Sequence, residues 1–224
     1  MLKARKKITR RQIKQDKFVT AYFKAVDYIE KYSKNIMIGA GIVIVVIVVT
    51  VFMTRSKRTA DIDASEQLAK ATAEMGAGNM LQAKDILLNL VDNYSGTKSA
   101  ARGIYILGQY HFQSKEYNQG IEYFDKYLKK HGDDQILAPA AFAGKGACLE
   151  QLGKLIEAGQ TYEKGAKKYD DSHMAPQLLM EAGRCYAMSN NVANARSCYE
   201  IILDKYADSG FKSDAELYLA KLKG

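Results

Sequence analysis

The feature that most constrains this chain is one pattern written four times between residues 59 and 224. Small residues at Ala71, Gly108, Gly146, Gly183 and Ala220 fall 37, 38, 37 and 37 positions apart. A second small series, Ala83, Gly120, Ala158 and Ala195, keeps intervals of 37, 38 and 37. A third series of large apolar residues, Leu87, Phe124, Tyr162 and Tyr199, keeps the same intervals. Repetition at this period marks a stacked-repeat architecture. Each unit reads as two helices. Turns are expected at Gly78-Asn79, Ser114-Lys115-Glu116-Tyr117, Leu152-Gly153-Lys154 and Ser189-Asn190-Asn191. Gly and Asn tolerate the left-handed conformation that ends a helix. The only prolines, Pro139 and Pro176, sit where the third and fourth units begin. A first helical turn accepts proline because its N–H would be unpaired there anyway. The small positions predict close helix approach, with the large residue four positions after each second-helix small residue filling the space beside it. No such pair buries its apolar face alone, so neighbours must stack.

These positions resemble the tetratricopeptide repeat, whose pattern places Leu-Gly, an aromatic, Ala and Phe at fixed offsets. Leu107-Gly108, Gly120 and Phe124 match it in the second unit, with Gly in place of Ala. Gly146, Gly153, Ala158 and Tyr162 match in the third, and Gly183, Tyr186, Ala195 and Tyr199 in the fourth. The first unit departs most: Ala71 replaces Gly, and Glu74 stands where an aromatic is usual. A degenerate end repeat is normal for a solenoid. The lengthened period places extra residues in the inter-unit links, such as Tyr169-Asp170-Asp171-Ser172 and Tyr206-Ala207-Asp208-Ser209. The resemblance implies an α-α superhelix of about four helix pairs over 59–224, closed by a lone helix from Ser213 to Leu222.

Ahead of the repeats, Asn35 to Thr54 carries no charge, and Ile36 to Met53 is nearly all Ile, Val, Met, Gly and Ala. A helix of that length rises about 30 Å, the hydrocarbon thickness of a bilayer. In lipid a lone segment satisfies its backbone only as a helix, so the β-branched content does not argue against one. The 34-residue leader is too long for an ordinary signal-peptide n-region, and Thr54-Arg55-Ser56-Lys57-Arg58 is no small-residue cleavage site. The expectation is an all-α chain in three parts: a leader over 1–34, an uncleaved transmembrane helix over 35–54 and the repeat domain over 59–224.

The charge divides along the same lines. The chain carries a net +8, and residues 1–34 hold 11 Lys/Arg against Asp16, Asp27 and Glu30, which accounts for all of it. The repeat domain holds 19 basic and 22 acidic residues. A folded nucleic-acid binder carries its basic patch on the domain, so that class is disfavoured. Lys/Arg counts close to the span tie across it, and the longer basic arm places the N-terminus in the cytoplasm. Within the leader, Thr9 and Gln12 fit a capping box. Phe18, Tyr22, Val26 and Ile29 recur on one helical face, flanked by Arg10, Arg11 and Lys14. Such a helix lies on the cytoplasmic leaflet, docks on another membrane protein or is simply solvated.

The whole layout resembles the ancillary Sec-translocon subunit family of bacteria, and the repeats are also similar to the periplasmic cell-division coordinator family. The first resemblance implies a bacterial inner-membrane scaffold, with its repeats in the periplasm, meeting export-channel subunits, periplasmic chaperones or exported clients. The second implies an envelope-assembly or division coordinator binding cell-wall or Tol-type partners. An inverted topology places the repeats in the cytosol. The repeat family's groove positions carry over to Arg102, Tyr105, Gln109, Phe112 and Gln113, to Glu150 and Gln151, and to Gln177, Met180, Arg184 and Met188. The packing positions are Gly108, Gly120, Phe124, Gly146, Ala158, Tyr162, Gly183, Ala195 and Tyr199. Polar groups mixed with Tyr, Phe and Met suit adaptable peptide binding. No Lys/Arg pair stands out as a clamp for a C-terminal carboxylate.

Chemistry is not written into the chain. His111, His131 and His173 have no metal-ligand spacing. No phosphate-binding loop or nucleophile motif is present, so no cofactor and no catalysis are expected. His111 reads as a packing residue in the middle of a first helix. Asp133-Asp134 and Asp170-Asp171 read as helix stops. Cys185 and Cys198, on partner helices, are candidates for pairing in an oxidising compartment.

Overall fold

The computed structural model describes residues 10–222, with side chains from Lys17 onward. All regular structure among the described residues is helical: α1 (Arg10–Gly76), α2 (Met80–Asn93), α3 (Lys98–Gln113), α4 (Tyr117–His131), α5 (Leu137–Gln151), α6 (Leu155–Lys168), α7 (Ala175–Met188), α8 (Val192–Lys205) and α9 (Lys212–Lys221). The chain divides into two compact units, at Arg58 and Thr59.

The first unit is the α1 helix up to Arg58. It contains the one helix among the described residues long and apolar enough to cross a membrane, and that stretch is unburied by protein. Its hydroxyls are satisfied within the helix: Thr50 Oγ1 donates to the Val46 carbonyl at 2.7 Å and Thr54 Oγ1 to the Thr50 carbonyl at 2.9 Å. That is how a polar side chain avoids an unpaired group in an apolar surrounding. Phe18, Tyr22 and Ile29 are exposed and Val26 half-buried. Thr9 of the expected capping box, and the side chains of Arg10, Arg11 and Lys14, lie outside the described residues. The helix runs without interruption through Lys34 and Asn35. A leader lying flat beside an upright span needs a break there, and α1 has none.

The second unit holds four helix pairs and a closing helix. Ala64 and Ala71 of α1 share a core with Leu87, Leu90 and Val91 of α2. The pairs α3–α4, α5–α6 and α7–α8 follow, each second helix packing on the next first helix, with α9 against α8. The first helices α3, α5 and α7 also touch in succession.

All four turns within a pair are the same motif. Gly78, Lys115, Gly153 and Asn190 take positive φ of 84°, 62°, 72° and 60°. In each, that residue's N–H bonds the carbonyl three back and the next N–H bonds the carbonyl five back, as in Glu116 N–H to the His111 carbonyl at 2.8 Å. This double closure caps the orphan carbonyls of the first helix. Lys115 is the unexpected member, because a left-handed lysine costs about 1 kcal/mol or more relative to glycine.

The large residue has a different target from the one expected. Its ring covers the first-helix glycine of its own unit rather than filling space beside the second-helix small residue. A Cβ on Gly108 would stand 2.8 Å from the Phe124 ring, on Gly146 2.5 Å from Tyr162, and on Gly183 2.4 Å from Tyr199. Real Cβ atoms do not approach that closely, so glycine is required by the ring. In the first unit the equivalent positions are Ala71 and Leu87, both fully buried in one core, a larger small residue with a smaller apolar one. Gly120 faces the next unit instead, its missing Cβ 2.9 Å from Cys148 Sγ. Ala158 and Ala195 are fully buried.

The inter-unit links carry their own device. The Tyr169 hydroxyl donates to the Gly132 carbonyl at 2.8 Å, and Tyr206 to the Asp170 carbonyl at 2.7 Å, each strapping one link to the preceding one. Lys168 also donates to Gly132, at 2.7 Å, and Lys205 pairs with Asp170. Asp134 is not a helix stop. It starts α5, accepting from the backbone N–H groups of Ile136 and Leu137 at 2.8 and 2.9 Å and from the Tyr127 hydroxyl at 2.8 Å. His111 is buried as expected but lies in the last turn of α3, stacked on Tyr123 with Nδ1 2.6 Å from Glu116 Oε2. Cys148, Cys185 and Cys198 are free and buried, so Cys185 and Cys198 do not form the candidate bridge.

Candidate protein-binding groove

Two cavities flank α5, the central first helix. The larger, of about 990 Å³, lies on the second-helix side between α4 and α6. Its walls are mainly solvated lysines and acids, with Lys145 tied to Asp125 at 2.7 Å. The other, of about 590 Å³, lies among the first helices α3, α5 and α7. Its walls mix aromatic rings, amides and a thioether, the groups that recognise a peptide by contact and by backbone hydrogen bonds. Volume alone favours the first cavity, but chemistry favours the second.

The groove's floor is Ala140, Ala143, Gly144 and Ala147, one face of α5 at helical spacing. These small side chains leave depth for a ligand backbone. Gly144 also makes room for Phe124, whose ring would stand 2.3 Å from a Cβ there. One wall is Tyr105, Gln109, Phe112 and Gln113 of α3. Tyr105 sits edge-on to Phe124, with centroids 5.9 Å apart, and its hydroxyl accepts from Gln109 at 3.0 Å. Burial pushes the Tyr105 phenol above its ordinary value. The opposite wall is Gln177, Glu181 and Arg184 of α7 with Met174 just ahead of it, and Glu150 and Gln151 close one end.

The closed end is an ion network. Arg184 Nη2 lies 2.5 Å from Glu150 Oε2 and 2.7 Å from Glu181 Oε2, and its Nε donates to the latter at 2.9 Å. Glu150 Oε1 accepts from the Tyr162 hydroxyl at 2.7 Å. Burial works against the guanidinium charge, but the bonds from the two carboxylates outweigh it and hold Arg184 protonated. Burial, and then the bond to Glu150, push the Tyr162 phenol far up. Thus Tyr162 both covers Gly146 and fixes a groove carboxylate.

Eight of the eleven residues expected to line a groove come together here: Tyr105, Gln109, Phe112, Gln113, Glu150, Gln151, Gln177 and Arg184. Three do not. Met180 faces inward, 8% exposed among the α7–α8 core residues. Arg102 lies in a separate depression with Lys98, His131 and Asp134. Met188 is exposed at the end of α7, its sulfur 3.6 Å from Arg184 Nη1. The sequence reading missed the small-residue floor, Met174 and Glu181, as well as Phe124 and Tyr162 as groove residues. Two signals existed: the 3, 1, 3 spacing of the small residues on α5, and the i, i+3 placement of Glu181 before Arg184.

Family models described as tetratricopeptide repeat match residues 68–135 and 177–209. No curated protein matches the chain. The fold is therefore all-helical with tetratricopeptide repeats, a class whose members typically act as non-catalytic scaffolds for protein–protein interaction. No cluster of three or more metal-ligating side chains occurs among the described residues.

Proposed function

We propose that this protein is a membrane-anchored scaffold that holds segments of other proteins in the groove among α3, α5 and α7. The observation that carries the reading is that groove itself, where aromatic, amide and thioether groups converge over a floor of small residues. The apolar stretch of α1 serves as the tether. The basic leader stays in the cytoplasm under the Lys/Arg rule and places the repeats in the periplasm of a bacterial inner membrane. Partners in this setting are export-channel subunits, periplasmic chaperones or newly exported clients. The resemblance of the whole layout to the ancillary Sec-translocon family supports this placement. The unbroken helix through Lys34 favours a leader that reaches a protein partner over one lying flat on lipid.

Topology is tested with Ser95→Cys, at an exposed link position. A membrane-impermeant maleimide should label it on intact cells with a low background. Burial raises the native thiols, Cys148 to about 11 and Cys185 and Cys198 to about 12, so they stay protonated and covered. Labelling only after the membrane is opened would place the repeats in the cytosol. Affinity capture from native membranes should recover channel subunits or export chaperones. Recovery of cell-wall or Tol-type partners alone would move the assignment to a division coordinator.

A further inference from the structure

We infer that the groove selects segments bearing a lysine or arginine and rejects acidic segments and free C-terminal carboxylates. The inference rests on the groove being the ligand-binding face, and adds which partner chemistry it takes.

The charges that line the groove are Glu150, Glu181 and Arg184. Two carboxylates face one guanidinium, so the closed end carries a net negative charge. Arg184 is already spent: its Nε and Nη2 bond both carboxylates, and Nη1 meets the Met188 sulfur. An incoming carboxylate finds no other cation lining the cavity among the described residues. It would have to displace Glu150 or Glu181, leaving a carboxylate unpaired beside a half-buried wall. An incoming ammonium or guanidinium meets the opposite situation. Glu181 Oε1 has no donor among the described residues, while its Oε2 holds Arg184, so one acceptor at the groove edge stands open.

The rest of the groove is neutral. Gln109, Gln113 and Gln177 are exposed on its walls, and each amide offers both a donor and an acceptor, as a peptide group does. They suit backbone recognition without regard to sequence. The ion network then supplies the one side-chain preference.

The test uses the full chain in mild detergent and four fluorescent peptides of Gly and Ser around one Tyr. Three are C-terminally amidated and flank the Tyr with Lys, Ser or Glu. The fourth repeats the Ser sequence with a free C-terminal carboxylate. The Lys peptide should bind about fivefold tighter than the Ser peptide, as expected for one partly exposed ion pair. The Glu peptide should bind more weakly than Ser, and the free carboxylate should gain nothing. Glu181→Gln keeps an acceptor for Arg184 and should bring the ratio of Lys-peptide to Ser-peptide affinity down to about one. Gln177→Trp, at an exposed wall position, should weaken all four by filling the groove. Equal binding of Lys, Ser and Glu peptides with Gln177→Trp still weakening them would overturn the charge selection and keep the groove. Tightest binding by the Glu or free-carboxylate peptide would also overturn it. Binding indifferent to Gln177→Trp would overturn the groove reading itself.

Discussion

In the first repeat, Ala71 and Leu87 hold the equivalent positions and are fully buried in one core. In the three that follow, Gly108, Gly146 and Gly183 pack beneath Phe124, Tyr162 and Tyr199. Both solutions close the helix pair with fully buried side chains. The difference is what reaches the other side. A leucine ends within the core. In the second and third units the buried ring lies over the glycine and also lines the groove, as Phe124 and Tyr162 do. The small residue is therefore not a generic allowance for close helices but the complement of one ring. The groove lies over the glycine-aromatic units, and that is where the proposed function resides.

The sharpest way to break this comparison is to put the first unit's residue into a later one. Gly146→Ala should cost about 3 kcal/mol, at the high end for overpacking, because the added Cβ would stand 2.5 Å from a Tyr162 ring whose hydroxyl is tied to Glu150. Adding Tyr162→Leu to it recreates the first unit's pair and should recover part of the loss, a favourable coupling of about 1–2 kcal/mol. Thermal or urea melts of the full chain in mild detergent measure both. Additive losses would mean that the ring and the glycine are not complements. The reverse exchange, Ala71→Gly, should cost only about 1 kcal/mol, from helix propensity and a lost methyl.

A smaller effect separates the third unit from the fourth. Tyr162 donates to Glu150, whereas the Tyr199 hydroxyl is buried without a partner among the described residues. The residue four beyond Gly183 is Ala187, where the third unit has Glu150. Tyr162→Phe should therefore cost about 1 kcal/mol and loosen the groove network, while Tyr199→Phe should be neutral or slightly stabilising. Equal costs in the same melts would erase the distinction.

The turns give a comparison of similar size and opposite sign. Lys115→Gly should stabilise the second unit by about 1 kcal/mol, bringing its turn into line with that at Gly153. The smallest effect concerns pH. Burial alone would raise Asp134, but the N–H groups of Leu137 and Ile136 and the Tyr127 hydroxyl outweigh it, holding the carboxyl below its ordinary 3.8. A depressed folded value gives stability that is fully present above the ordinary value and lost as pH falls through the folded one. Melts should thus show a loss below about pH 4 that is smaller in Asp134→Asn.

These comparisons also show how far the sequence reached. Period and residue size are one-dimensional facts, so the four units, their turns at Gly78, Gly153 and Asn190 and the apolar run of α1 were legible. Facing direction was harder. Apolar residues surround α7 on several sides, and nothing in its spacing separated the core residue Met180 from the groove residue Met174. The straps from Tyr169 and Tyr206 join residues in successive links, so their partners depend on how units stack rather than on local pattern. Lys115 takes a left-handed conformation because the helix pair around it demands that turn, against its own preference.

The central claim is that the first-helix face over the glycine-aromatic units is where partners bind. A photo-crosslinking residue placed at Gln109, on the groove wall, and another at Glu200, exposed on α8, compare that face directly with a position outside it in native membranes. Discrete protein adducts should form from Gln109 and disappear with Gln177→Trp, with none from Glu200. Adducts from Glu200 with none from Gln109 would contradict it.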